Sequence, residues 1–306
     1  MKHARRFAVA WSLLKETAIK WIGRDPFRNS TVIAYYTIFS MPGLLVIIIN
    51  IAGYFFGDDA VTHRISGQVG QMIGDDAARA VEAIVARASQ HKESTISSLV
   101  GIGTLIFGAT GVFYQLQQTL NLVWEVKPQT KQKFLKLALD RIFSFGIILA
   151  VGFLLLVSLV LSTTLTVLSD WVAIYLSSHL NIVFRVLDFS LSLAVITFLF
   201  AAIFKYLPDA EIQWRDVRIG ALLTALLFVL AKYALSLYFA HSDPASAYGA
   251  ASSIILIMLW VTYAGMILLF GAEFTRVYAE HYGTHVKPKE FAVSTHTEES
   301  DNSPET

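Results

Sequence analysis

Six long apolar blocks constrain this chain more than any other feature it carries. They cover about Thr31–Phe56, Ile96–Leu122, Ile142–Leu168, Val183–Tyr206, Val217–Phe239 and Ala250–Phe274. Each reaches the roughly 20 residues that a helix needs to cross the hydrocarbon core of a bilayer. A water-soluble helix needs a polar face, and these blocks leave little room for one. They are continuous, not alternating, which selects helices over a β-barrel. Composition agrees: only 15% of the 306 residues are charged, against roughly 25% in a soluble domain. The expected fold is therefore an all-α polytopic membrane protein with six transmembrane helices.

Positive charge orients such a chain, because Lys and Arg gather on the cytoplasmic side. Lys2, Arg5, Arg6, Lys15, Lys20, Arg24 and Arg28 precede the first block. On the same side lie Lys127, Lys131, Lys133, Lys136 and Arg141, then Lys205, Arg215 and Arg218, then Arg276, Lys287 and Lys289. The other side has Arg64, Arg79, Arg87, Lys92 and Arg185. Both termini are expected in the cytoplasm, as an even number of spans also requires.

The chain divides accordingly into a basic N-terminal helix over 1–28, a membrane domain over 29–282 and a polar tail over 283–306. Phe7, Trp11, Leu14, Ala18, Trp21 and Ile22 fall at helical spacing. With Lys15, Lys20 and Arg24 they describe an amphipathic helix, resting on the cytoplasmic membrane surface or docked on the protein itself. No signal-peptide pattern is present in this stretch. Between the first two blocks, residues 57–94 contain two Gly-Asp-Asp starts, each followed by an amphipathic run. Two interfacial helices are expected there, with Asp58, Asp59, Asp75 and Asp76 at their starts. A calcium site on those carboxylates is the sharper alternative, but capping already accounts for them. The tail from Glu290, rich in Glu, Ser, Thr and Asn, is expected to be disordered.

Polar groups inside a bilayer are costly and therefore mark candidate sites. Lys232 lies deep in the fifth block, where it either faces an anionic substrate or snorkels to the outer interface. Asp188, early in the fourth, is its candidate partner. Gln115, Gln118 and Asn121 share one face of the second helix, as interhelical packing groups or as a polar wall. Tyr35, Tyr36 and Ser40 stand near Pro42, which is expected to kink the first helix. Glu273 and Arg276 are spaced for a local ion pair.

Several chemistries find no residues to carry them. There is no cysteine for thiol, disulfide or iron–sulfur chemistry. No phosphate loop ending in Lys-Ser or Lys-Thr occurs, nor a serine nucleophile elbow. His281 and His285 with Glu280 lack a third zinc ligand. No metal or cofactor is expected, nor an enzyme. The basic segment 127–141 is explained by topology, so no nucleic-acid partner is expected.

The stretch Asn29-Ser30-Thr31-Val32-Ile33-Ala34-Tyr35-Tyr36-Thr37-Ile38-Phe39-Ser40-Met41-Pro42 resembles the first-helix signature of the YihY/BrkB membrane proteins. Leu120-Asn121-Leu122-Val123-Trp124, Tyr206-Leu207-Pro208-Asp209, Arg218-Ile219-Gly220-Ala221, Tyr248-Gly249-Ala250, Trp260 and Gly271-Ala272-Glu273 follow in the family's order. Met41 and Gly43 depart from its bulkier apolar pattern. The resemblance, over about Trp21 to Tyr282, implies a multi-pass protein of the bacterial inner membrane. The expected function is a transporter or lipid-handling protein of the cell envelope for an amphipathic, anionic substrate. Lys232, Tyr35, Tyr36, Ser40, Gln115, Gln118 and Asn121 would line its path, with membrane lipids as partners. The alternative is a non-transporting scaffold for envelope proteins; envelope proteins or a second copy of the chain are the further partners expected. Behind both stands the family's older label of tRNA-processing ribonuclease, for which the chain shows no carboxylate constellation.

Overall fold

The computed structural model describes residues 2–73, 75–90, 111–128, 178–242, 251–282, 286–289 and 292–294. Among them it is all-α, with eight helices and two small two-stranded sheets. Helix α1 is Lys2–Gly23, α2 Pro26–Phe56, α3 Asp58–Ile73 and α4 Asp75–Gln90. The segment 111–123 forms α5 and leads into β1, Val126–Pro128. Then come α6 (Ser178–Tyr206), β2 (Ala210–Glu211), α7 (Trp214–Ser242), α8 (Ser252–His281), β3 (Lys287–Pro288) and β4 (Ala292–Ser294).

Among the described residues three helical stretches are long and apolar enough to cross a membrane: Val186–Tyr206, Trp214–Phe239 and Ser252–His281. They coincide with the fourth, fifth and sixth apolar blocks. The first block lies in α2, a single 31-residue helix that continues through Pro42. The second is described only from residue 111, and the third lies outside the described residues.

Helix α1 ends where Asp25 takes a left-handed backbone conformation, φ 50°, and Pro26 opens α2 at a position that needs no amide donor. One face of α1 docks on the protein: Leu13 is buried with Phe274 and Val277, and Val9, Leu14, Leu223 and Tyr278 pack around them. The Trp21 indole donates to the Met266 carbonyl at 3.2 Å and meets the Phe270 ring edge-on. Helices α3 and α4 each begin on an aspartate, as expected, and pack beside α2 and α8. Ala77 of α4 is buried with Leu256 and Ile257 of α8.

The segment 283–306, expected to be disordered, contributes strands instead. β3 pairs antiparallel with β2, Ala210 opposite Pro288. β4 pairs antiparallel with β1, Val126 opposite Ser294. Backbone amides and carbonyls in these short runs find partners on edges left open after α5 and α6, which composition cannot reveal.

The largest core cluster lies beside these sheets, with Leu120, Phe204, Ile212, Val217 and Ala272 almost wholly buried. There α7 and α8 approach through two reciprocal glycine–threonine contacts. A Cβ on Gly220 would stand 1.8 Å from the Thr275 hydroxyl oxygen, and one on Gly271 1.7 Å from that of Thr224. Each threonine hydroxyl donates to a carbonyl of its own helix, Thr224 to Gly220 at 2.6 Å and Thr275 to Gly271 at 2.7 Å. Small residues four apart let two apolar helices close without leaving a polar group unsatisfied.

Candidate functional site

Two features near the junction of α5, α6, α7 and α8 combine polar chemistry with burial. The first is a layer of charge around Glu273, a residue with no exposed surface. Arg24 Nε lies 3.0 Å from one of its carboxylate oxygens and Arg276 Nη1 4.0 Å from the other. Neither oxygen accepts a well-aligned hydrogen bond. Arg24 and Arg276 share Glu125 Oε1 at 2.8 and 2.7 Å. Arg276 also pairs with Glu280 at 2.7 Å, and Glu280 with Lys20 at 2.9 Å. The two arginines donate to the carbonyls of Leu122 and Val123, closing the last turn of α5. Burial works against the Lys20 ammonium, but its hydrogen bonds to Glu16 and Glu280 outweigh that, and its pKa lies above the ordinary lysine value. The space beside Arg24 and Glu273 is too tight for a ligand, so the layer joins α1, α5 and α8 and encloses nothing.

The second feature is a groove of about 670 Å³ between α6 and α7. Ser190, Leu193, Ala194, Thr197, Phe198 and Ala201 form one wall at helical spacing. Trp214, Arg218 and Leu222, four residues apart on α7, form the other. Phe198 and Leu222 are about half exposed, so the groove opens on the protein surface. Thr197 donates to the Leu193 carbonyl at 2.7 Å, which satisfies its hydroxyl within α6. The wall from Ser190 to Ala201 is about 16 Å long at 1.5 Å per residue. Arg218 is exposed and forms no ion pair among the described residues. Trp214 beside it meets Tyr206 edge-on. A largely apolar slot lined by a cation unpaired among the described residues is shaped for an elongated apolar chain that carries a negative head.

The residues singled out by sequence do not converge on one cavity. Asn121 is buried as a clamp: its amide donates to Asp209 Oδ2 at 2.8 Å and its carbonyl oxygen accepts the Asp209 backbone amide at 2.8 Å. Gln115 donates to Thr119 on its own helix, and Gln118 is half-buried beside it. Tyr36 packs on α5, where a Cβ on Gly111 would lie 2.3 Å from its ring. Tyr35 is 54% exposed and stacks with Phe39. Ser40 donates to the Thr37 carbonyl at 3.0 Å. Lys232 lies 5.8 Å from the centroid of the Tyr233 ring and forms no ion pair among the described residues, with the half-buried Asp188 or any other. Glu273 and Arg276 do face each other, but Arg24 is the nearer cation. Sequence reasoning read Arg24 and Arg218 as orienting or motif residues and not as site residues, and did not single out Glu125. For Arg218 the signal was available, since it is a cation within the fifth apolar block, one residue from its start.

No group of three or more His, Asp or Glu residues positioned to hold a metal ion occurs among the described residues.

The sequence profile of the family described as Virulence factor BrkB matches residues 20–294. Among curated proteins, a UPF0761 membrane protein of Saccharophagus degradans is 26% identical over 84% of this chain and 57% of its own length. One from Teredinibacter turnerae is 26% identical over 92% of this chain and 64% of its own. A third, from Tolumonas auensis, is 30% identical over 62% and 60%. The chain thus spans about three fifths of the length of these relatives. No solved structure matches.

Proposed function

The chain belongs to the virulence factor BrkB family of membrane proteins, and from that premise we propose that it is a lipid-handling protein of the bacterial inner membrane that takes an anionic amphiphile into the α6–α7 groove. In this reading the six apolar blocks span the bilayer with both termini in the cytoplasm, and the protein is not an enzyme. The observation that carries the proposal is the groove itself, whose largely apolar lining includes the guanidinium of Arg218, unpaired among the described residues. Hydrocarbon fills the slot at no cost in desolvation, since the surrounding lipid is equally apolar. Selectivity therefore falls to the head group. A guanidinium offers a phosphate two parallel donors, and a charge-assisted hydrogen bond contributes about 1.5–3 kcal/mol. Positive charge on the cytoplasmic side assigns Arg218 to the inner leaflet.

The test is lipid retention by the purified protein, read by native mass spectrometry after equilibration with phosphatidylglycerol and phosphatidylcholine. The wild type is expected to retain phosphatidylglycerol selectively. Arg218→Ala should lower that retention about tenfold, the equivalent of roughly 1.4 kcal/mol. Ala194→Trp, which fills the slot and leaves the cation in place, should lower retention of both lipids. Equal retention by all three proteins would sink the proposal. A Lys232→Ala variant run alongside decides whether that lysine belongs to the same path.

A further inference from the structure

Helix α1 has three sectors. One docks on α8 through Leu13, Thr17 and Trp21. At about 100° per residue, Trp11, Ile22, Lys15, Ala8 and Ile19 occupy the next 80° or so of arc. Ser12, Gly23 and Glu16 follow in roughly 40° more. All eight of these residues are exposed, Trp11, Ile19 and Ile22 to 65%, 63% and 66%. A helix already docked by one face has no internal reason to present a second apolar strip beside a polar one.

We propose that this second strip is sunk in the head-group region of the cytoplasmic leaflet and recognises anionic lipid. Three observations select a lipid surface over a protein. The strip carries on along the chain into α2, where Phe27, Tyr35 and Phe39 are also more than half exposed at four- and eight-residue spacing. Through Trp21, α1 is attached to the inner part of α8, a candidate span, so its open side borders the bilayer. Apart from Lys20, which Glu16 and Glu280 hold, the helix carries four Lys or Arg residues, complementary to an anionic surface. Lys15, placed within the strip, has the long stem that lets an ammonium reach phosphate while its methylenes stay in the apolar layer. Apolar burial and head-group charge together are what hold an interfacial helix at a membrane.

The chain has no native cysteine, so single cysteines at positions 11, 12, 16, 19 and 22 can each take a nitroxide label in reconstituted full-length protein. In vesicles of phosphatidylglycerol and phosphatidylethanolamine, oxygen should relax the labels at 11, 19 and 22 several-fold more than a water-soluble nickel chelate does. Labels at 12 and 16 should show the reverse preference. Nickel access at all five positions overturns the proposal. So does shielding of 11, 19 and 22 from both reagents, which would place a protein or a second copy on the strip. In vesicles of phosphatidylcholine alone the oxygen preference at 11, 19 and 22 should fall; an unchanged preference overturns the recognition of anionic lipid. Loss of phosphatidylglycerol from the α6–α7 groove would leave this label pattern unaffected, so the two proposals fail separately.

Discussion

Among the described helices, α7 packs most extensively on α8 and α6, and it meets the two in different ways. Toward α8 it is closed: Gly220 and Thr224 interlock with Thr275 and Gly271 so tightly that neither glycine has room for a methyl group. Toward α6 it is packed along one side, where Phe200, Ala201 and Phe204 join Val217, Ala221 and Ala225 in the core, and along another a groove of about 670 Å³ opens between the stretch from Ser190 to Ala201 and that from Trp214 to Leu222. Both contacts lie in apolar helices, so hydrophobicity does not distinguish them. In lipid it offers little net drive for one helix to prefer another. The difference is shape at the contact: glycines and threonines interlock on one side, and on the other Ser190, Ala194 and Ala201 leave space facing Trp214, Arg218 and Leu222. The closed side is also backed by charge, since α8 continues into the layer around Glu273.

The largest break in this contrast should come from that layer. Arg24→Ala leaves Glu273 buried without its nearest cation and should destabilise the protein by about 3–5 kcal/mol. A thermal melt in detergent micelles reads this. Adding Glu273→Ala should recover a large part of the loss, because the stranded charge is then gone. Melting curves that match the wild type would mean that the closed side does not depend on the ion layer.

Next comes the crossing. Gly271→Ala adds a single methyl group against Thr224 and should cost about 1–3 kcal/mol, a large effect for a helix-favouring substitution. The Lys20 pairs with Glu16 and Glu280 should contribute less, under about 1 kcal/mol, being partly exposed. Their pH dependence has a definite sign. A raised lysine pKa stabilises the fold fully below the unfolded value of about 10.4 and loses that contribution as pH rises through the folded value. The difference in stability between wild type and Lys20→Met should therefore be constant from neutral pH to about pH 10 and vanish at higher pH. The smallest effect belongs to the open side: Leu222→Ala, at a half-exposed position, should change stability by no more than about 0.5 kcal/mol. A loss as large as that of Gly271→Ala would mean that the groove is packed in the folded protein.

The regular part of this architecture was readable from the chain because apolar runs of span length allow few other solutions. The fourth, fifth and sixth blocks reappear as helices α6, α7 and α8. The two Gly-Asp-Asp starts likewise became α3 and α4, since an aspartate at a helix start acts locally. What depended on distant partners was not readable. Asn121 suited packing better than a path wall, and only the position of Asp209 makes it a clamp. Arg24 lies outside every apolar block, and nothing near it in sequence points to Glu273. The strands at Lys287–Pro288 and Ala292–Ser294 are two and three residues long, below any detectable alternation. The groove was invisible because it is defined by what two helices fail to fill.

The small sheets carry a consequence for biogenesis. β1 and β2 are made early, yet their partners β4 and β3 are the last described strands of the chain. Synthesis proceeds from the N-terminus, so these two edges stay open until the ribosome has produced the residues after the final span. The two sheets are thus sewn shut by a late stitch, and a transcript cut just short of it would yield a polypeptide that inserts but stays unfastened.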